Sequence, residues 1–162
     1  MLELVNKQIV EDVAIELGIR PSFVEKDLYA VKLLSELSNF EYKDAKLVFT
    51  GGTCLSKGYN IIKRFSEDID FRVITNNGFS RGQRRQFRDY IIRKIKTLSD
   101  FRFIEGSLEK KNESKFFSFD VEYPKKYTLD NALRDNLKLE FSFDNTLLPT
   151  NKRRIGSLIS KY

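Results

Sequence analysis

Two aspartates and a pair of glycines lie close together between Leu47 and Val73. Asp68 and Asp70 are separated by one residue, so in a β-strand both carboxylates would leave the same face. Gly51-Gly52 follows a short apolar strand and precedes a helix-compatible segment. Such glycines let the backbone approach an anion, and the helix start offers unpaired amides. Carboxylate oxygens suit hard cations such as Mg²⁺ or Mn²⁺, so the stretch predicts a site for a triphosphate and divalent metal.

Glu140 is the predicted third acid, because it alternates with apolar residues along a later strand. If that strand neighbours the strand of Asp68 and Asp70, three carboxylates converge on one face. Such convergence costs repulsion unless a metal is present, which favours a functional role. Asp120 and Glu122 share a similar strand face and are alternatives to Glu140. The structural alternative for the aspartate pair is a solvated strand face.

The residues around the glycine pair are predicted to contact the nucleotide. Thr53 would donate to a phosphate, or cap the helix. Lys57 would reach a phosphate as a point charge, or lie in solvent. Gly51 and Gly52 are also predicted contacts, through their backbone. Ser56 and Ser66 could instead cap or brace, and Arg64 could instead pin the acid loop.

These two linked motifs resemble the signature of the AbiEii/AbiGii toxin family, which belongs to the nucleotidyltransferases with the DNA-polymerase-beta type fold. The resemblance is carried by Gly51-Gly52-Thr53, Leu55-Ser56-Lys57, Arg64–Asp70 and an upstream run, Val24–Leu28. It implies transfer of a nucleoside monophosphate from an NTP to a hydroxyl with release of pyrophosphate. It also implies that Asp68, Asp70 and Glu140 bind Mg²⁺ or Mn²⁺.

The resemblance further implies a toxin of a toxin–antitoxin or phage-defence (abortive infection) pair, with a separately encoded antitoxin and tRNA or another RNA as acceptor. Family members continue into a helical C-terminal half, and this chain ends at Tyr162, where that half would begin. The alternatives are an excised fragment, a truncated form and a short variant, in which part of the nucleotide pocket could be missing. Two alternatives come from other classes: an inert domain that binds nucleotide or RNA, and a partner-binding fragment of a larger toxin. Within the enzyme class, a small-molecule acceptor is a further alternative.

Composition narrows the chemistry. The 162 residues are 41% hydrophobic and 13% aromatic, which predicts a single folded domain. A net charge of +6 makes nucleic acid or another polyanion a plausible partner. One cysteine and no histidine exclude a disulfide framework, a Cys/His zinc cluster and a histidine general base. No signal peptide or membrane span is evident, so a cytoplasmic, soluble protein is expected.

The pattern of apolar residues predicts an α/β (α+β) fold, with a mixed sheet of about five strands flanked by helices. The resemblance implies that this is a nucleotidyltransferase fold. A helical segment, residues 1–45, would pack on a catalytic core, residues 46–162. The predicted helices are Leu4–Leu17, Ser22 to about Leu37, Thr53–Lys63 and Ser80 to about Leu98. The predicted strands are Leu47–Phe49, Asp68–Val73, Phe101–Leu108, Phe117–Tyr123 and Leu137–Phe143.

Two sets of charged residues on these helices are predicted to be solvent-exposed rather than functional. Ser22 and Glu25 form a capping-box pattern, which makes Glu25-Lys26-Asp27 a solvated first helical turn rather than a catalytic group. The basic residues of the longest helix predict a solvated face, with binding of an RNA backbone as the minority hypothesis. They are Arg81, Arg85, Arg88 and Lys96.

Overall fold

The computed structural model describes residues 6–60, 67–128, 133–144 and 149–161. Its helices are α1 (Lys7–Leu17), α2 (Pro21–Ser38), α3 (Gly51–Tyr59) and α4 (Arg81–Lys96), with a short 3-10 turn at Ile159–Lys161. Its strands are β1 (Lys46–Thr50), β2 (Asp68–Ile74), β3 (Arg102–Phe103), β4 (Glu109–Lys111), β5 (Phe116–Glu122) and β6 (Leu137–Phe143). Within the described residues, no helix has both the length and the apolar character needed to cross a membrane.

The six strands form one mixed sheet in the order β1-β2-β6-β5-β3, and β4 pairs with β5 beside β3. The β2–β6 pair is parallel and the other pairs are antiparallel. The expected α/β fold is confirmed, with six strands instead of about five. The extra strand is β4, which follows the predicted strand Phe101–Leu108; of that run only Arg102–Phe103 is a strand, and Gly106, where φ is 85°, lies between β3 and β4. The polar stretch Glu109–Ser114 before β5 predicts a hairpin; the hairpin is present, with β4 as its first strand.

One face of the sheet carries the core. Alternate residues of the central strands are apolar and almost fully buried, and they pack against α2 and α4. Aromatic rings dominate this layer: the rings of Phe117 and Phe141 stack with centroids 4.7 Å apart, and Phe87 of α4 packs edge-on against Phe117. Because side chains alternate along a strand, the intervening polar residues, including both aspartates of β2, lie on the opposite face.

The capping box lies on a different helix from the one predicted. α2 begins at Pro21 with Arg20 at the N-cap and no side-chain cap, so the predicted capping box at Ser22 and Glu25 is wrong. Proline at the first helical position already has a helical φ and lacks the N–H that a cap would satisfy. The capping box occurs instead at α4, where Ser80 and Gln83 bond reciprocally.

Burial of the shorter helices also differs. The near-helical spacing of Val5, Ile9, Val13 and Leu17 predicts one apolar face for α1, but Ile9 and Leu17 are exposed, and the buried residues are Val10, Val13 and Ala14. In α3, helical spacing predicts that Leu55 and Tyr59 face the core, but both are exposed as well. α3 ends at Tyr59, where Asn60 adopts a left-handed conformation, so the predicted extension to Lys63 is not part of the described helix.

The basic residues of α4 lie across the sheet from the acidic strand face, because α4 packs on the core face. Arg88 is buried and its guanidinium bonds Asp89, so a solvated position is wrong for this residue. Arg81 and Arg85 are exposed as expected. The position of α4 removes the reason for assigning it RNA binding beside a nucleotide site.

Ser118 of β5 carries a buried hydroxyl whose effect on stability can be tested. Its side chain has no exposed surface, and its hydroxyl has no hydrogen-bond partner among the described residues. Because a buried hydroxyl without a partner costs free energy, we expect Ser118→Ala to raise the free energy of unfolding by about 1 kcal/mol. Urea unfolding of the variant and the parent protein measures the change. A lower stability would show that the hydroxyl is bonded in solution.

Candidate active site

The register of the parallel pair brings the predicted acids together. Asp70 of β2 lies directly opposite Glu140 of β6. The alternative acids lie farther away, since Asp120 of β5 is opposite Lys138 on the far side of β6, and Glu122 pairs with Arg102. The register of the strands therefore favours Glu140 over both alternatives as the neighbour of the aspartate pair.

The carboxyl groups of Asp70 and Glu140 are in hydrogen-bond contact. Burial of Asp70, followed by its hydrogen bond with Glu140 and the negative charges of Glu140 and Asp68, raises the pKa of Asp70 to about 6. Two carboxyl groups at this distance bond each other when they share a proton, because two ionised groups would repel. The geometry thus concentrates negative charge at one point of the sheet.

Gly51 lies directly against this point. It opens α3 immediately after β1, its φ is 76°, and a Cβ added to it would overlap the carboxylate of Asp70. Glycine is therefore needed both for the backbone conformation and for the close approach. The first turn of α3 consequently places its unpaired amides next to the acids.

Two threonines join α3 and β1 to the aspartate strand. The hydroxyl of Thr53, which is buried, donates to the carbonyl of Asp68 over 2.5 Å. Thr50, not Thr53, occupies the N-cap position, so the capping interpretation of Thr53 is wrong. The hydroxyl of Thr50 donates to the carbonyl of Asp70 at 3.4 Å. These bonds fix the helix start relative to both aspartates.

Cations accompany two of the three acids. A guanidinium nitrogen of Arg134 lies 3.5 Å from Oδ1 of Asp68, and the ammonium of Lys138 lies 3.5 Å from Oε1 of Glu140. The Arg134 contact has ion-pair distance without hydrogen-bond geometry, since Oδ1 of Asp68 is buried and has no hydrogen bond within the described part of the chain. Sequence reasoning did not find Arg134, which stands in a loop and follows no motif.

The donor set fits a hard divalent cation. Three carboxylates from β2 and β6 lie on one face of the sheet. Two of them are in contact, and one oxygen of the third, Asp68, is buried without a hydrogen bond within the described residues. Oxygen ligands and an excess of negative charge are what Mg²⁺ and Mn²⁺ require. No group of three ligating side chains is already arranged to hold a metal ion in the described ranges.

The other residues predicted to contact the nucleotide differ in their burial and in their partners. Gly52 and Ser56 are half-buried residues of α3. The ammonium of Lys57 is engaged in an ion pair with Asp27, whose side chain is 6% exposed, and lies 3.4 Å from the carbonyl of Gly156. Arg64 and Ser66 lie outside the described residues.

The structure overturns the interpretation of the triplet Glu25-Lys26-Asp27. All three side chains are buried, at 3%, 1% and 5% exposed, so the predicted solvated helix turn is wrong. A signal was present in the sequence: Lys26 and Asp27 precede Ala30 by four and three residues, which places them on the buried stripe of α2. Their contacts reach the site, as described below.

A groove lies along the free edge of β1, and one of its lining residues is Thr50, the strand partner of Asp70. It has a volume of about 740 Å³ and is bounded by β1, α2, α3 and residues 149–155. No acidic side chain lines it within the described residues. Its exposed cations are Lys46, Lys152 and Arg153, and the guanidinium of Arg153 lies over the ring of Tyr59 at 4.5 Å.

The profile of one protein family matches residues 32–162, which is most of the chain and includes the whole acidic site. That family is described as the nucleotidyl transferase AbiEii toxin of type IV toxin–antitoxin systems. The chain belongs to the AbiEii family. The expected family membership, derived from the glycine and aspartate motifs, is thereby confirmed.

A solved structure has a similar fold. It is MenT4, a nucleotidyltransferase toxin from Mycobacterium tuberculosis H37Rv, with a TM-score of 0.52 and 20% sequence identity. The match covers 88% of this AbiEii chain and 44% of MenT4, so the chain spans less than half the length of that toxin. At this identity the similarity supports the fold alone. No functionally curated protein matches the chain.

Proposed function

We propose that this AbiEii chain is a divalent-metal-dependent nucleotidyltransferase that transfers a nucleoside monophosphate from an NTP to a hydroxyl of an acceptor. The observation that carries the proposal is the β2–β6 register, which puts Glu140 beside Asp70 at the start of α3. The roles of Asp68, Asp70 and Glu140 as acids, and of the α3 residues as nucleotide contacts, are part of the proposal. Family membership supports the same activity.

The acids would hold the metal that the transfer requires. Asp68, Asp70 and Glu140 supply oxygen ligands on one face, and a bound divalent ion would neutralise the phosphates and lower the barrier to displacement at phosphorus. The charge of the three acids would otherwise repel the triphosphate. A metal-binding role would explain why the fold keeps two carboxylates in contact despite their mutual repulsion.

The chain's own groups would align the reactants. Amides at the start of α3, exposed by Gly51, would bind the phosphates, and the ammonium of Lys57 would add a point charge. The acceptor oxygen forms a bond to the α-phosphorus as the bond from that phosphorus to the bridging oxygen breaks, releasing pyrophosphate. The acceptor proton passes to a carboxylate, for which Glu140 is our candidate, or to water.

We propose RNA, with tRNA as one example, as the acceptor. The groove along β1 is lined in part by Thr50, the strand partner of Asp70, and it carries three exposed cations without an acidic side chain within the described residues. A phosphate backbone is attracted to such a surface in a salt-dependent way. The type IV description of the family also supports a separately encoded antitoxin as the functional partner.

The groove gives a testable prediction about the acceptor. The variant Lys46→Glu/Lys152→Glu/Arg153→Glu should raise the KM for RNA about tenfold or more at low salt, because phosphate contacts are lost. The KM for NTP should change little. A matched control is Arg81→Glu/Arg85→Glu on α4, which alters charge across the sheet from the site. Equal effects of both variants would indicate attraction by net charge rather than binding in the groove.

The central experiment incubates the purified chain with Mg²⁺, each NTP labelled at the α-phosphorus, and total RNA, with and without small acceptors. Asp68→Asn/Asp70→Asn is run in parallel. We expect label in RNA only with the intact acids. Label in a small acceptor would correct the acceptor class. Mg²⁺-dependent NTP binding without transfer would favour an inert sensor, and loss of both would contradict the site assignment.

A further inference from the structure

The buried triplet at the start of α2 connects to the site through two of its members. The ammonium of Lys26 bonds Oε2 of Glu67 and donates to the carbonyl of Arg134 over 2.5 Å. Oε2 of Glu67 also accepts from the backbone N–H of Arg134 at 2.6 Å. These contacts join α2 to two segments distant in sequence, one immediately before Asp68 and one carrying the guanidinium that faces Asp68.

Asp27 makes a second connection. Its carboxylate forms the ion pair with Lys57 of α3 and accepts from the backbone N–H of Leu158 at 2.7 Å. The side chains of the pair are 6% and 12% exposed, so the lysine ammonium is held away from bulk water. Asp27 therefore determines where the ammonium of Lys57 lies relative to the first turn of α3.

Burying these charged side chains costs more free energy than a role in stabilising the fold alone would justify. Removing an ammonium and carboxylates from water is costly, and well-packed apolar side chains of similar volume often stabilise a fold equally well or better. The contacts of Lys26 and Asp27 converge on residues of the proposed site, whereas Glu25 bonds the backbone N–H groups of Lys126 and Tyr127, which carry no site residue. The three neighbours thus differ in what they support.

We propose that Lys26 and Asp27 are positioning residues for this site. Lys26 fixes the start of β2, and with it Asp68, through Glu67 and Arg134. Asp27 fixes the ammonium of Lys57. Glu25 supports the fold alone. The inference rests on the proposed function, because positioning has a kinetic consequence only in a chain that catalyses transfer.

The test compares Lys26→Met and Asp27→Asn with Glu25→Gln in the complete chain. Glu25→Gln is a matched control, because Glu25 stands in the same helical turn with similar burial. Lys26→Met should lower kcat by about 10- to 100-fold per folded molecule, as loss of supporting contacts around ligands does, and leave the KM for NTP nearly unchanged. Asp27→Asn should chiefly raise that KM. Glu25→Gln should change neither constant beyond about threefold.

A double variant separates positioning from the penalty of an unpaired charge. Lys26→Met leaves Glu67 without its cation, and adding Glu67→Gln removes that charge. We expect the double variant to recover thermal stability but not kcat. Recovery of both, or equal losses of kcat in Lys26→Met and Glu25→Gln, would overturn the proposal.

Two readouts do not depend on turnover. Calorimetry with Mn²⁺ alone should show weaker binding in Lys26→Met than in Glu25→Gln. Amide hydrogen exchange of residues 67–70 should accelerate more in Lys26→Met than in the control. If the parent chain transfers no nucleotide, the proposed function fails, but the exchange comparison still decides whether Lys26 positions the strand. Equal exchange in the two variants would show that it does not.

Discussion

Asp70→Asn should abolish nucleotide transfer and at the same time stabilise the metal-free protein. The amide can still hydrogen-bond Glu140 but carries no charge, so a metal ligand and a source of repulsion disappear together. We expect transfer to fall by at least about 1,000-fold, since the ligated ion supplies several kcal/mol of transition-state stabilisation. Loss of less than about tenfold would remove Asp70 from the catalytic group.

The stability gain follows from the raised pKa. A carboxyl group whose pKa is about 6 in the fold, above its ordinary value, binds protons more tightly when folded, so the protein loses stability as pH rises towards and through 6. Asp70→Asn avoids that loss. Allowing for partial exposure, we expect a gain of about 1–2 kcal/mol at pH 8 in EDTA, shrinking as the pH falls below about 6.

Asp120→Asn is the matched control for this experiment. Asp120 carries the same charge on the same sheet face, but it lies opposite Lys138 instead of another acid. We expect neither the loss of transfer nor the gain in stability. Urea unfolding in EDTA across the pH range measures the second effect. Equal gains in the two variants would mean that general relief of charge, not the Asp70–Glu140 contact, is responsible.

The sheet and its acids were accessible from the sequence because strand alternation is a local signal. The alternation of apolar and polar residues around Asp68, Asp70 and Glu140 predicted which face of the sheet each acid occupies, and the motif spacing indicated the family. The parallel pairing that makes Asp70 and Glu140 neighbours was assumed, since pairing between strands about 70 residues apart follows from tertiary packing.

The triplet of α2 shows why the remainder was missed. Charged residues in a first helical turn are usually solvated, and that expectation was applied to Lys26 and Asp27. Their burial depends on partners at Glu67, Lys57 and Leu158, which lie in other parts of the chain. No local pattern identifies such partners. A useful signal would have been the coincidence of charge with the buried stripe of an amphipathic helix.

The second large effect is expected from Gly51→Ala. Here φ is 76°, a region that alanine adopts only with strain, and the added methyl would overlap the carboxylate of Asp70. The strand-to-helix connection or the aspartate must therefore move. We expect the free energy of unfolding to fall by about 1–3 kcal/mol and transfer to fall by about 100-fold or more, because small displacements of reacting groups are costly.

Gly58→Ala in the same helix isolates the cause of that loss. Gly58 has no positive φ, and a Cβ there would meet nothing closer than the Cys54 sulfur at 4.0 Å. Alanine is favoured over glycine within a helix by up to about 1 kcal/mol, so Gly58→Ala should be neutral or stabilising. Thermal unfolding and transfer assays of both variants decide the matter. If Gly51→Ala behaves like Gly58→Ala, the approach of α3 to Asp70 is looser in solution than its geometry indicates, and the helix start loses its role as the phosphate contact.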